Sequence, residues 1–184
     1  MSAYWAGADR MSYDEPSKGF QIGRDVPWIT AWSSETDPAP QWRHCGHAGG
    51  IALWRPETPG VGQPMFKILH EVRQRRAVSQ LLCQVCGKRT PSHDRWLFAK
   101  GGWQPNPTGA GQIWCTDDAP VHRVCGNLVR ERCPFIRNGG VKLVRFPPTH
   151  STLPALSPAN GRMLMLLIVP PHDYAVKSFG SPPG

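Results

Sequence analysis

Two stretches decide the reading of this chain: Cys83-Gln84-Val85-Cys86-Gly87 and Pro120-Val121-His122-Arg123-Val124-Cys125, with 35 residues between Cys86 and His122. Two thiolates three positions apart, followed by a glycine that tolerates a left-handed turn, form a knuckle in which both sulfurs face one cation. His122 and Cys125 repeat the three-position step at the start of a predicted helix, where an i, i+3 pair points to one side. Together they supply the four donors of a closed tetrahedral site, so the expected cofactor is a structural Zn2+ held by Cys83, Cys86, His122 and Cys125. Cys115 competes with His122 as the third ligand. Cys133, eight residues past Cys125 and directly before Pro134, is expected in the core. Six cysteines without an export signal favour metal ligation or buried thiols over disulfides, because the cytosol keeps thiols reduced.

The order of knuckle, two strands and a helix bearing the second ligand pair resembles a treble-clef zinc finger from Cys83 to about residue 132, roughly a quarter of the chain. The segments Val72-Arg73-Gln74-Arg75-Arg76-Ala77, Leu81-Leu82-Cys83-Gln84-Val85-Cys86-Gly87, Trp96-Leu97-Phe98 and Pro120-Val121-His122-Arg123-Val124-Cys125 are similar to a group of uncharacterised actinobacterial and phage-type proteins. In that group Cys often stands where His122 stands here. The resemblance implies a zinc site and carries no function with it.

Outward from the cysteines, residues 65–82 contain no Gly or Pro and are rich in Lys, Leu, Glu, Arg and Gln, which predicts a helix. Met65, Ile68, Leu69 and Val72 would share its apolar face, Arg76 would fall on that face, and Arg73 and Arg75 would point away. Strands are expected at 26–33, with Pro27 marking an edge, and at 51–54, 95–99, 112–116, 141–146 and 163–169. A loop is expected at 101–111. A second helix is expected from 120 or 121 to 132, capped by Asp117 and Asp118. The fold class that follows is α+β: a small single domain of short antiparallel strands and two helices around a treble-clef-like zinc site. A flexible polar arm is expected at 1–24, the core at 25–146 with its zinc module at 83–133, and a Pro-rich segment with one buried strand and a frayed end at 147–184.

Composition narrows the class. Gly and Pro supply 39 of 184 residues, which opposes a helical bundle. The longest apolar run, at 163–169, is far short of the roughly 18 residues that span a bilayer. The first residues, Met1-Ser2-Ala3-Tyr4-Trp5, lack a basic and apolar leader pattern, so a cytoplasmic protein is expected.

The net charge of +8 is unevenly placed: residues 67–146 hold 14 basic and five acidic side chains, whereas residues 1–66 hold five and seven. The basic stretch is the cysteine stretch. A zinc module carrying Arg73, Arg75, Arg76, Lys88, Arg89, Arg95, Arg123 and Arg130 would attract phosphate, and Trp103, in a Gly- and Pro-rich loop, is the candidate for base stacking. Trp96 and Trp114 are expected to be buried. The expected function is therefore a non-enzymatic, zinc-stabilised nucleic-acid-binding protein, with DNA ahead of RNA as partner. A zinc-held protein-interaction module or adaptor is the alternative.

An HNH-type metal-dependent nuclease is the second alternative, for which His93, Asp94 and Asn127 are available. His93 precedes the strand where such an enzyme needs its general base, and no further His follows on the helix. His44-Cys45-Gly46-His47 has zinc or copper donors but no obvious fourth group, and reads as a loop with solvated imidazoles. His150, His172 and Asp173 form no recognisable site.

Overall fold

Thr30, Ala31 and Trp32 form strand β1 (Thr30–Trp32), all three side chains buried, and a 3-10 turn, Ser33–Glu35, ends it. The computed structural model describes residues 19–37, 39–46, 50–105, 112–146, 151–156 and 163–168, of which 103–105, 112, 113, 151–156 and 163–168 are described as backbone. The polar arm expected at 1–24 lies outside the described residues up to residue 18, as do residues 106–111 of the expected loop, His47, His150, His172, Asp173 and the expected frayed end.

The remaining elements are β2 (Gln41–Cys45), β3 (Gly50–Trp54), β4 (Pro64–Leu69), α1 (Glu71–Gln80), β5 (Trp96–Phe98), β6 (Gly102–Pro105), β7 (Gln112–Thr116), α2 (Arg123–Arg132), α3 (Pro134–Asn138), β8 (Leu143–Arg145), β9 (Ser151–Leu156) and β10 (Met163–Ile168). Their ladders are antiparallel: β1 with β4, β2 with β3, β5 with β8, and a four-stranded sheet in the order β6-β7-β10-β9. The described part is thus a mixed α+β fold of short strands and three helices rather than two. Among the described residues no helix is long and apolar enough to cross a membrane.

Residues 65–82 are not one helix. Met65 to Leu69 belong to β4, where Ala31 faces Met65 and Thr30 faces Leu69 across a bulge. His70 makes the break. Its backbone is extended and its Nδ1 accepts the N–H of Arg73 at 3.4 Å, so it caps α1 as Asn or Ser would. Strand pairing outweighs the helix propensity of Met, Lys and Leu here. The apolar face assigned to Met65, Ile68, Leu69 and Val72 therefore does not exist.

The correction changes the fate of the arginines. Arg73 is fully buried and forks onto Glu35, with Nη1 to Oε1 at 2.6 Å and Nη2 to Oε2 at 2.7 Å, while Nη2 also donates to the Thr30 carbonyl at 2.7 Å. Glu35 accepts the N–H groups of Trp32 and Thr58 as well, each at 2.8 Å. Arg75 is buried, and Arg76, partly exposed, pairs with Glu57. Arg73 and Arg75 are withdrawn from the basic surface expected of them, because both side chains are used inside the domain. A second buried pair, Arg55 with Glu71, lies at the start of the same helix.

Two apolar clusters meet at β5. Leu97 joins Ile29, Ala77, Val78, Trp114, Ala119 and Phe146, whereas the next residue, Phe98, joins Cys83, Val85, Val121, Cys133 and Ile136. Alternation along one strand lets three residues serve both cores.

Replacing Arg73 with Gln leaves the Glu35 carboxylate buried without its countercharge. Urea denaturation should show a loss of about 3–5 kcal/mol, against less than about 1 kcal/mol for Arg76→Gln at the surface. Equal losses would mean that the buried fork does not organise this half. His70 supplies a pH test. Burial holds its pKa below the ordinary value of 6.5, and it is bonded as a neutral ring, with Nε2 on the Pro56 carbonyl at 2.8 Å. The unfolded chain then protonates first, so His70's contribution is complete above about pH 6.5 and is lost below it, by at most about 1.4 kcal/mol per pH unit. His70→Asn should flatten that part of the stability curve relative to wild type; parallel curves from pH 6.5 to 5.5 would contradict the neutral assignment.

Candidate metal centre

The knuckle begins where α1 stops. Leu81 takes a left-handed conformation, φ 53°, and its N–H caps the helix through the Ala77 and Val78 carbonyls. Leu82 then pairs with Arg89 in an antiparallel bridge, and the Cys83 N–H donates to the Lys88 carbonyl at 2.7 Å. Gly87, φ 74°, donates back to the Cys83 carbonyl at 2.8 Å and closes the turn. A Cβ on Gly87 would sit 2.9 Å from the Trp28 ring, so this position needs glycine for both conformation and space.

The second ligand pair is delivered by β5. Trp96 and Val121 exchange both backbone hydrogen bonds, at 2.8 and 2.9 Å, and the Gln84 N–H donates to the Pro120 carbonyl at 3.0 Å. These bonds set His122 beside the knuckle as the N-cap residue of α2. Cys125 follows in the first turn. The cap itself comes from Asp94, whose Oδ1 accepts the Arg123 N–H at 2.9 Å, and not from Asp117 or Asp118. α2 extends over 123–132, two or three residues shorter at its start than expected.

The result is one cluster. The sulfurs of Cys83, Cys86 and Cys125 and a ring nitrogen of His122 all lie within 4.8 Å of one another. For zinc bond lengths of about 2.3 Å to sulfur and 2.0–2.1 Å to nitrogen, the sulfur–nitrogen edge of a tetrahedron is about 3.6 Å. The distances from His122 Nδ1 are 3.4 Å to Cys86 Sγ and 3.9 Å to Cys125 Sγ, on either side of that value. His122 Nε2 lies 3.1 Å from the Arg89 carbonyl, so it carries the proton and leaves the Nδ1 lone pair facing the sulfurs. Nothing in the spacing of the cysteines announces this outer contact.

Electrostatics point the same way. A hydrogen bond from Cys125 brings the Cys83 thiol down to about 5 against the opposing effect of burial. Burial pushes Cys86 up, and Cys125 is driven up first by its bond to Cys83 and then by burial. The thiols thus oppose one another's ionisation, an opposition that a bound cation would relieve. The Cys3His set could therefore hold a metal ion, and its sulfur-rich donors suit a soft or borderline cation better than magnesium or calcium.

The other candidates fall elsewhere. Cys115 lies in β7, opposite Gly102, and is not part of the cluster, where His122 stands with the three cysteines. Cys133 is buried among apolar residues, as expected. His44 and Cys45 are in strand β2, not in a loop, with His44 exposed; among the described residues they belong to no metal-capable group. His93 is exposed, Asp94 is engaged at the helix cap, and Asn127 is exposed on α2. Lys88, Arg89, Arg123 and Arg130 are exposed. Arg95 is half-buried, lies over Phe146 and donates to the Thr90 carbonyl at 2.6 Å. Trp114 is buried and Trp96 half-buried beneath Arg123, whose guanidinium stands 5.3 Å from its ring. The side chain of Trp103 lies outside the described part.

No protein-family model, curated protein or solved structure matches the chain. The similarity to actinobacterial and phage-type proteins thus gains no support from these comparisons, and the reading of the site rests on its geometry.

Elemental analysis should find one metal ion per chain. Cys83→Ser and Cys125→Ser should each abolish it, while Cys45→Ser and Cys133→Ser retain it. Because metal binding to such sites is worth on the order of 10 kcal/mol, a strong chelator should unfold the 83–133 segment, seen as loss of amide-exchange protection there. Metal content unaffected by Cys83→Ser would show that the cluster is a group of buried thiols.

Proposed function

We propose that this chain is a non-enzymatic nucleic-acid-binding protein, stabilised by one Zn2+ in a treble-clef-like site and holding the phosphate backbone with the basic face around it. Cys83, Cys86, His122 and Cys125 would hold the ion, whose part is to fix the knuckle against the N-terminus of α2. With four protein donors the site is closed, as in structural zinc centres, and leaves no position for a substrate.

The observation that carries the reading is where positive charge stays open. Around α1 it is consumed within the domain: Arg73 by Glu35, Arg55 by Glu71, Arg76 by Glu57. Residues 83–146 hold ten basic and four acidic side chains, and Lys88, Arg89, Arg123 and Arg130 stand exposed on the segment that carries the cysteine cluster. A field of one sign over one region attracts a polyanion. Arg95 belongs to this region too, though its bonds to Thr90 give it a bracing part.

A second reading has its own observation. On the β2–β3 hairpin, Trp42 and Ile51 are 57% and 64% exposed on the face that also carries His44, an apolar surface of the kind that docks a protein partner. Salt separates the two readings. Nucleic-acid affinity should fall with a log–log slope of about −0.9 per phosphate contact, and replacing Lys88, Arg89, Arg123 and Arg130 with Gln should shrink that slope by up to about 3.5. Binding to DNA and RNA that is absent even at low salt would transfer the function to the hairpin face.

A further inference from the structure

Helix α2 is held in an unusual way. Of its ten residues only Gly126 is buried. A Cβ there would come within 2.8 Å of both Leu143 methyl carbons and 3.1 Å of Val121, so the helix backbone lies directly on β8 at that point. At 100° per residue, Val124, Asn127, Leu128 and Glu131 fall on the opposite side, away from the domain. They line an open groove together with Asp94 and Arg123. Val124 is 72% exposed.

The flanks of this face differ. Arg123 and Arg130, seven residues apart, lie along one side, and the exposed Lys88 and Arg89 belong to the knuckle, whose Arg89 carbonyl meets His122 at the helix start. On the other side Arg132, though exposed, is bonded to Asp25 at 3.1 Å and to the Arg24 carbonyl at 2.9 Å. Of the two acids, Asp94 is engaged with the Arg123 N–H. Glu131 remains open.

Resting on the nucleic-acid reading above, we infer that α2 is the reading helix of the protein and that its ligand is the major groove of duplex DNA. An α-helix with side chains is about 10–12 Å across and the major groove about 12 Å wide. The outward side chains are of the kinds that read base edges there: Asn127 for the N6 and N7 of adenine, Glu131 for the N4 amine of cytosine, Val124 for the thymine methyl. Arg123 and Arg130 would meet phosphates along one strand and set the register. The partner is committed by charge: a protein groove-binder would leave Arg123, Arg130, Lys88 and Arg89 without a matching surface.

The test is selection of duplexes from a randomised library by the zinc-loaded full chain, followed by binding titrations. A short preferred sequence is expected. Asn127→Ala, at an exposed position, should keep metal content and melting behaviour, lower discrimination at one base pair by roughly 10-fold, and leave the salt slope unchanged. Arg130→Gln should weaken binding to all sequences alike and reduce the slope by about 0.9. Salt-dependent binding without sequence preference, or equal affinity for single strands and RNA duplexes, would overturn the reading helix while leaving phosphate binding in place. No binding to any nucleic acid at low salt would overturn both.

Discussion

Three cysteine sulfurs and an imidazole nitrogen converge within 4.8 Å of one another, so the segments that carry them must meet at one point, where a metal ion could be held. That constraint governs the second half of the chain. The apolar cluster beside it contains six buried residues, two of them cysteines, a small core for a segment of some fifty residues. Small modules of this kind need a staple, and the cluster is where one would act. It ties the end of α1, through the knuckle, to the start of α2, while β5 aligns the two by backbone bonds to Val121.

The first half is organised by a different device. Glu35 receives two backbone N–H groups and both ends of the Arg73 guanidinium, so its carboxylate is satisfied without water. Replacing such a pair by well-packed apolar residues is often neutral or stabilising, which makes geometry, not energy, the best account of its presence here. The fork reaches from α1 to the turn after β1 and to the Thr30 carbonyl, and it accepts only one relative placement of the three. It also explains why a basic helix makes so little basic surface.

The Cys3His cluster is the most legible feature of the sequence because its information is local: two three-residue steps and a glycine single out the four side chains before any tertiary contact is known. Strands β7 at 112–116, β5 and β10 were legible for the same reason, as short apolar or aromatic runs between breakers. What could not be read depended on distant partners. Nothing near Met65 says that Ala31 will pair with it, and only that pairing makes 64–69 a strand and His70 a cap. The arginines of α1 were misplaced as a consequence, since a shifted helix start changes which side each residue occupies. Strand β9 was hidden by Pro154 within it, and β2 by His44 and Cys45, whose donors suit metal chemistry. The α2 cap was missed because Asp94 lies 29 residues from Arg123.

The two halves are not independent, and the joint lies at the knuckle. The Trp28 N–H donates to the Val85 carbonyl at 2.8 Å, the Ile29 N–H to the Gln84 carbonyl at 3.2 Å, and the Trp28 ring fills the space against Gly87. Trp28 and Ile29 lead straight into β1, the strand that the Arg73 fork holds. The backbone between Cys83 and Cys86 is therefore fixed from the N-terminal side by hydrogen bonds and from the C-terminal side by the Gln84 N–H on the Pro120 carbonyl and by Cys86 against His122. α2 inherits both constraints: its start is set by the cluster, its middle by Gly126 on Leu143, and its end by Arg132 on Asp25. A helix anchored at three points along one side can present the other side in a single orientation, which is the condition for any partner that recognises a pattern of side chains rather than charge alone.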